Sequence, residues 1–380
     1  MEDTNCLIVP GSYKGTLESF EAVELIEKSL KSFLPDSWKI QKYIIADGGE
    51  GTLSALKEIF PIKIESIPLL NPVHEITKTS FGISMNTAYI ESSKVIGLSL
   101  IPIQKRKPLE TTSRGLGQLI RHVVDLGCEE IYITMGDSGI MDMGVGMLHE
   151  LGAIFYSNNK SFIPDTKLIG EIDDIDFSHI KEKYKNIEFH GLVDTWNFLC
   201  GPEGQVVQYG KQKGLTNNQA IALETGFERL GNLLEYKTNQ NILNFRGASA
   251  SGGLCAPLKC IFNAQIEHTI DFFERNTNCH LSELLEESDI IITGEGRVDK
   301  QTKFGKVPFY VASKAKGECI FIIGEITEDG LNDIKQVKKD ILFFYLDSST
   351  NQINPKIIYK KTCNLLAKSL YSQFHISDVA

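Results

Sequence analysis

Two stretches of this 380-residue sequence concentrate side chains able to do chemistry. The first is Asp289 to Pro308, in which the β-branched run Ile290-Ile291-Ile292-Thr293 leads into Gly294-Glu295-Gly296-Arg297, with Asp299 two residues on. Glu295 and Asp299 are carboxylates able to hold a metal or a proton, and Arg297 is a fixed cation suited to an anion. The flanking glycines carry no side chain, so a ligand can come close to the backbone. The second stretch is Ala46-Asp47-Gly48-Gly49-Glu50-Gly51-Thr52, with three glycines and two carboxylates. Each glycine loses extra backbone entropy on folding, and a plain turn needs only one, so the cluster reads as a site.

Lesser clusters follow the same pattern. Pro10-Gly11-Ser12-Tyr13-Lys14-Gly15-Thr16 is a turn between a strand and a helix, a shape that receives anions at the helix N-terminus. Lys14 there either touches a phosphate or carboxylate or is a solvated turn lysine. Thr111-Thr112-Ser113-Arg114-Gly115 opens a helix, where hydroxyls cap and free amides meet an anion. Gly136 to Gly146 holds Ser138 and Asp142, and Asp194-Thr195-Trp196-Asn197 closes a further strand. The small-residue run Gly247 to Gly253 reads mainly as a packing element.

These clusters need elements to position them. Cys6–Val9, Tyr43–Ile45, Ile131–Met135, Glu188–Val193, Ile290–Thr293, Cys319–Gly324 and Ile341–Leu346 read as strands, the β-branched ones as buried parallel strands. Ile290–Thr293 is expected to break at Gly294 into a turn that leaves Glu295 facing solvent. A helix is expected from about Leu17 with Thr16 as its cap, another over Asn217–Tyr236, and a last one near Ile357–Leu370. Residues 155–190 read as polar and irregular. Strand–helix alternation at both ends, with a different texture between, predicts an α/β protein of two domains: a doubly wound parallel sheet from residues 1–65 plus 285–380, and a mixed-sheet α/β domain, 66–284, inserted into it.

Composition narrows the function. Net charge is −10, which disfavours non-specific nucleic-acid binding. No apolar run approaches a membrane span, and Met1-Glu2-Asp3 does not begin a secretory leader, so a cytoplasmic protein is expected. The eight cysteines are scattered without a C-x-x-C pair and read as reduced thiols. Walker A, G-x-S-x-G, H-E-x-x-H and protein-kinase signatures do not occur. The histidines are not clustered in sequence and carry no assignment. Glycine-acid turns with scattered cations suit phosphoryl transfer, which asks for positioning, Mg²⁺ on carboxylates and a cation on the transferred group.

Several blocks, in order, make the chain similar to the bacterial glycerate kinases. Gly11-Ser12-Tyr13-Lys14 resembles that family's aspartate-serine-aromatic-lysine turn; Ala46–Thr52 is identical to its second block, and Pro108–Gly115 is close to its third. Gly136–Gly146, Asp194–Gly204, Gly247–Gly253 and Thr293–Pro308 resemble the later blocks. The chain departs from the pattern at Gly11 (aspartate in the family), Asp137 and Met143 (glycines), Met141 (asparagine), Trp196 (threonine) and Phe198 (proline).

The resemblance implies a flavodoxin-like domain with an inserted mixed-sheet domain, ATP and Mg²⁺ as cofactors, and transfer of the γ-phosphoryl group to D-glycerate to give 2-phosphoglycerate. The alternatives are a kinase of another small hydroxy acid, or a weakened relative that binds ligand without turnover. The implied catalytic residues are Glu295, Asp47, Asp194 and Lys14. Ser12, Gly48, Gly49, Glu50, Thr112, Ser113, Arg114, Ser138, Asn197, Gly294, Gly296 and Arg297 are implied in substrate and phosphate binding, and Asp142 and Asp299 in metal binding. These residues are expected to line one cleft. A homo-oligomer is compatible with the sequence, and neither nucleic acid nor membrane is an expected partner.

Overall fold

The computed structural model describes residues 4–277, 279–347 and 354–375; the Met1-Glu2-Asp3 start lies outside them. The protein is mixed α/β, with a parallel sheet and a separate mixed sheet. Strands are numbered in chain order: β1 (Asn5–Ile8), β2 (Lys39–Lys42), β3 (Lys63–Leu70), β4 (Ile76–Ser84), β5 (Thr87–Glu91), β6 (Glu130–Met135), β7 (Ile154–Ser157), β8 (Lys160–Phe162), β9 (Asp174–Asp176), β10 (Glu188–Val193), β11 (Gln265–His268), β12 (Ile290–Val298), β13 (Glu318–Ile326) and β14 (Ile341–Tyr345). The chain forms two compact units, residues 1–47, 54–59 and 270–380 in the first and 48–53 and 60–269 in the second.

The first unit is built on a five-stranded sheet in the order β14-β13-β12-β1-β2, parallel at every pairing. Ile290, Ile291 and Ile292 of β12 stand beside Cys6, Leu7 and Ile8 of β1. These residues are fully or almost fully buried, as a sheet covered on both faces demands. Helix Ser19–Phe33 lays Val23, Ile26 and Leu30 into the same core as Tyr359, Leu366 and Leu370 of helix Pro355–His375. Each such aliphatic side chain contributes about 1.5–3 kcal/mol by leaving water.

Three expectations are corrected here. The second strand is Lys39–Lys42 rather than Tyr43–Ile45, because β1 ends at Ile8 and Tyr43 N takes the last ladder acceptor, Ile8 O, at 2.9 Å. Thr16 caps nothing: Tyr13 and Leu17 bond each other's backbones across a tight loop, and the helix starts at Ser19, with Glu21 accepting from Glu18 N. β12 does not break at Gly294 but runs on to Val298, with Glu295 opposite Ile323 and Arg297 opposite Glu325 of β13. Gly294 is required for that course. A Cβ there would stand 1.8 Å from Ile322 O and 2.6 Å from Tyr13 Oη, so the glycine makes room for the neighbouring strand and an aromatic ring, not for a ligand.

The second unit holds a six-stranded sheet, β11-β10-β6-β5-β4-β3, antiparallel through β3, β4 and β5 and parallel from β5 to β11. Residues 155–190 are not irregular. They form a three-stranded antiparallel sheet, β8-β7-β9, then helix Ser178–Lys183; Phe155 and Ile175 pair across β7 and β9 and turn inward, while Asp173, Asp174 and Asp176 stay exposed. The single inward position on the short β9 is too weak a period-2 signal to read from sequence.

Candidate functional site

In the first unit, the turn after β1 lies along β12. Gly11 N donates to Gly294 O at 2.9 Å. A Cβ on Gly296 would stand 3.6 Å from Tyr13 Cα and 3.7 Å from Lys14 N. Tyr13 anchors the turn: its hydroxyl donates to Ile322 O at 2.8 Å and accepts from Tyr359 at 3.1 Å. Glu295 is buried, 4% exposed, and not solvent-facing as expected. Alternation along β12 puts it on the face of Ile291 and Thr293, where Thr302 Oγ1 donates to Oε1 at 2.7 Å and Lys306 Nζ donates to Oε2 at 3.3 Å. Burial pushes its carboxyl above the usual range; Lys306, Thr302 and Lys14 pull it back down, and Asp47 pushes it up further. Lys14, Asp47 and Glu295 therefore share one electrostatic neighbourhood.

Asp299 starts the next turn, its Oδ1 accepting from Gln301 N at 2.9 Å. Arg297 is exposed and only loosely paired, 3.7 Å from Asp299 and 3.8 Å from Glu325. Ser12 is buried and its hydroxyl has no hydrogen-bond partner. Ser12, Asp47 and Asp299 each offer a hard oxygen of the kind Mg²⁺ takes, and Lys14 is an exposed cation suited to phosphate.

In the second unit, Gly48, Gly49 and Glu50 form a turn clipped at several points. Gly136 N donates to Gly48 O, and Glu50 N donates to Asp137 Oδ2, both at 3.0 Å. The buried Glu91 accepts from Gly51 N and Leu53 N. Gly48 has φ +98°, and a Cβ there would meet Thr269 Oγ1 at 2.8 Å, so glycine is obligatory on both counts.

Asp142 is fully enclosed. Oδ2 accepts from Ser113 N and Ser113 Oγ, each at 2.7 Å, and from Gly146 N at 3.3 Å; Oδ1 accepts from Gly144 N at 3.0 Å. Ser113 was expected to cap helix Arg114–Asp125, but its hydroxyl serves Asp142 and accepts from Met147 N at 2.8 Å. Nearby, Ser138 Oγ accepts from Lys213 Nζ at 3.1 Å, and Ile140 O accepts from the same amine at 2.8 Å. Burial lowers the Lys213 amine to about 7, against the opposing pull of Asp194, Asp142 and Asp137. Asn197 donates to Glu203 O at 3.0 Å, while its buried Oδ1 has no partner.

Thr112 and Arg114 line a cavity of about 740 Å³ in this unit, together with Lys105, Lys107 and Lys167. Arg114 is already engaged by Glu150, Nε to Oε1 at 2.6 Å.

The residues singled out in the sequence thus fall into two groups: Ser12, Lys14, Asp47, Gly294, Glu295, Gly296, Arg297 and Asp299 in the first unit, and the remainder in the second. Sequence reasoning missed Thr302, Lys306, Lys213 and Glu91. Lys306 and Lys213 each sit next to a glycine, at Gly305-Lys306 and Lys213-Gly214, which was the available signal.

The departures acquire physical meaning. Asp137 (φ 55°) and Met143 (φ 49°) stand where the backbone is left-handed, as the glycines of the pattern would favour. Asp137 offsets part of that cost by accepting from Glu50 N. Trp196 lies against Gly247, whose Cβ would stand 3.0 Å from the ring, and Phe198 lies under the Arg246 guanidinium, 4.4 Å from the ring centroid. At Gly11 an added Cβ finds nothing nearer than 3.5 Å, so the backbone there does not itself demand glycine.

Known proteins agree with this architecture. Residues 6–369 match the model of the glycerate kinase family. The chain is 34% identical to glycerate kinase of Bacillus subtilis (strain 168) over 89% of each chain, and 32% identical to glycerate 2-kinase of Escherichia coli (strain K12) over 90% of each. A crystal structure assigned as glycerate kinase 2 of Salmonella typhimurium LT2 superposes with a TM-score of 0.76 at 29% identity, over the full length of both chains. From the extent of these matches, this chain is a member of the glycerate kinase family.

Proposed function

We propose that the chain transfers the γ-phosphoryl group of ATP to D-glycerate, giving 2-phosphoglycerate and ADP. Family membership carries the substrate class, and the named activity of the Escherichia coli relative supports the 2-position. The observation that carries the chemistry is Glu295, a carboxylate buried within the parallel strand β12 with a lysine and a hydroxyl on its two oxygens.

In this reading Glu295 receives the proton of the attacking hydroxyl. Its upward shift brings it closer to neutral pH, where proton transfer is most effective. Lys306 and Thr302 hold it in place. Asp47 and Asp299, with the Ser12 hydroxyl, would hold Mg²⁺, which when bound neutralises phosphate charge. Lys14 and Arg297 meet the phosphates, and the Gly48-Gly49-Glu50 turn, Thr112, Ser138, Asp194 and Asn197 bind and orient substrate. Asp142 changes role: with three donors on Oδ2 and one on Oδ1 it anchors a loop, and Lys213 joins as a positioning residue for Ser138.

The order β2-β1-β12-β13-β14 supports a flavodoxin-like first domain with a second inserted into it, read from the sequence as 1–65 plus 285–380 around 66–284, where contacts group 1–47, 54–59 and 270–380. A cytoplasmic location is part of the proposal, supported by eight free thiols. Among the described residues no helix is long and apolar enough to cross a membrane.

The test is a coupled ADP-release assay with D-glycerate, ATP and Mg²⁺, with the product assigned by phosphorus NMR. ADP release that depends on D-glycerate, with 2-phosphoglycerate formed, is expected. Release with another hydroxy acid only, or binding without release, would replace the proposal with one of its two alternatives.

A further inference from the structure

A cluster at the start of two strands in the second unit plays no part in that reaction. β6 and β10 run parallel, with Glu130 opposite Glu188 and Tyr132 opposite His190. Alternate residues of a strand share a face, so both carboxylates and the imidazole emerge on the same side of the sheet. One ligand atom from each of Glu130, Glu188 and His190 lies within 4.8 Å of the other two. His190 is only 7% exposed, and its Nε2 is buried without a hydrogen-bond partner among the described residues. That nitrogen stands 3.2 Å from Glu130 Oε1. Two ligands of a tetrahedral ion with bonds of about 2.0–2.1 Å are separated by roughly 3.3 Å, so the pair already has the bite of a metal site.

The surroundings hold two of the three ligands in place. The Tyr132 ring stacks on His190 with centroids 4.3 Å apart. Tyr132 Oη donates to Glu130 Oε1 at 3.0 Å, and Thr87 Oγ1 donates to Oε2 at 2.8 Å. Such outer contacts orient metal ligands and raise their basicity. The exposed Glu188 closes the set from the solvent side.

We propose that Glu130, Glu188 and His190 bind one divalent transition-metal cation of the zinc class. An imidazole with two carboxylates suits Zn²⁺, Co²⁺ or Ni²⁺, whereas Mg²⁺ takes oxygen ligands and keeps its waters. None of these ligands is among Ser12, Asp47 and Asp299, the residues given to Mg²⁺. The proposed ion sits where β6 and β10 begin, while Gly136–Ser138 and Asp194–Asn197 follow the opposite ends of these strands, roughly 13 Å away along β10. Its effect is to staple two neighbouring strands and stabilise the unit.

The chelator-treated full chain would be titrated with Co²⁺, followed by visible absorption, and with Zn²⁺, followed by calorimetry. Saturable binding of one ion per chain is expected, with a rise in Tm on adding Zn²⁺. His190→Gln and Glu188→Gln should each weaken binding by about 100-fold or more, and leave ADP release in excess Mg²⁺ unchanged. Glu188 is exposed, so its variant remains informative even if His190→Gln folds poorly. Absence of saturable binding at millimolar metal, or binding that survives Glu188→Gln unweakened, would overturn the site.

Discussion

Asp142 in the second unit and Glu295 in the first are both carboxylates buried in glycine-rich stretches, and they are held in opposite ways. Asp142 is surrounded by neutral donors, three backbone amides and a hydroxyl, with both oxygens occupied. Glu295 has one hydroxyl and one lysine, the lysine at 3.3 Å. Burial raises the carboxyl of both. The difference shows what separates a structural acid from a chemical one. A carboxylate with both oxygens fixed by backbone and hydroxyl donors ties loops together, whereas one paired with a long side-chain cation can exchange that partner for a substrate.

The comparison breaks most severely at Asp142. Asp142→Asn replaces an acceptor-only carboxylate with an amide, so an NH₂ faces donors. A loss of about 3 kcal/mol or more is expected, seen as a lowered denaturation midpoint, because hydrogen bonds to a charged group count for about 1.5–3 kcal/mol each. A variant of normal stability that instead needs more Mg²⁺ would return Asp142 to the metal site.

Lys213 sharpens the contrast through pH. Its amine lies at about 7 in the folded chain, below its ordinary 10.5, so its contribution to stability is fully present above 10.5 and is lost as pH falls toward 7. Lys213→Met removes that slope. Between pH 10 and 7 the wild type should lose stability relative to the variant, by about 5 kcal/mol at most. Parallel urea midpoints for the two proteins across that range would show the amine to be unshifted.

The smallest effect is expected at Gly11. The backbone there does not itself demand glycine, so Gly11→Asp should change stability by less than about 1 kcal/mol. By adding a carboxylate beside Ser12 it should lower the Mg²⁺ concentration for half-maximal rate severalfold. An unchanged Mg²⁺ dependence would separate the turn after β1 from the metal.

Much of this was legible in the sequence. The apolar runs of β1, β12, β13 and β14 identify the parallel sheet, although β14, read as buried, is half-exposed, and Gly48 after Asp47 marks a left-handed turn. What escaped reading was set by distant contacts. Gly294 looked like a break because two glycines flank an acid, yet it continues a strand because Tyr13 and Ile322, far away in sequence, fill the space. Glu295 looked exposed for want of a visible partner, and Lys306 becomes that partner only when the chain turns back after Asp299. The Glu130–Glu188–His190 cluster depends on the register of two strands, which no spacing in the sequence encodes.

The central claim is that Glu295 works on the substrate rather than on the fold. Glu295→Gln leaves Lys306 buried without its counter-charge, so the single variant should lose some stability; adding Lys306→Met removes the stranded charge and should restore it. The deciding measurement is kcat for D-glycerate, with Tm, on wild type, Glu295→Gln and the double variant. The account predicts kcat lowered about 100-fold or more in both, corresponding to about 3 kcal/mol of transition-state stabilisation, with Tm recovering only in the double variant. Wild-type turnover in a folded Glu295→Gln protein would contradict it.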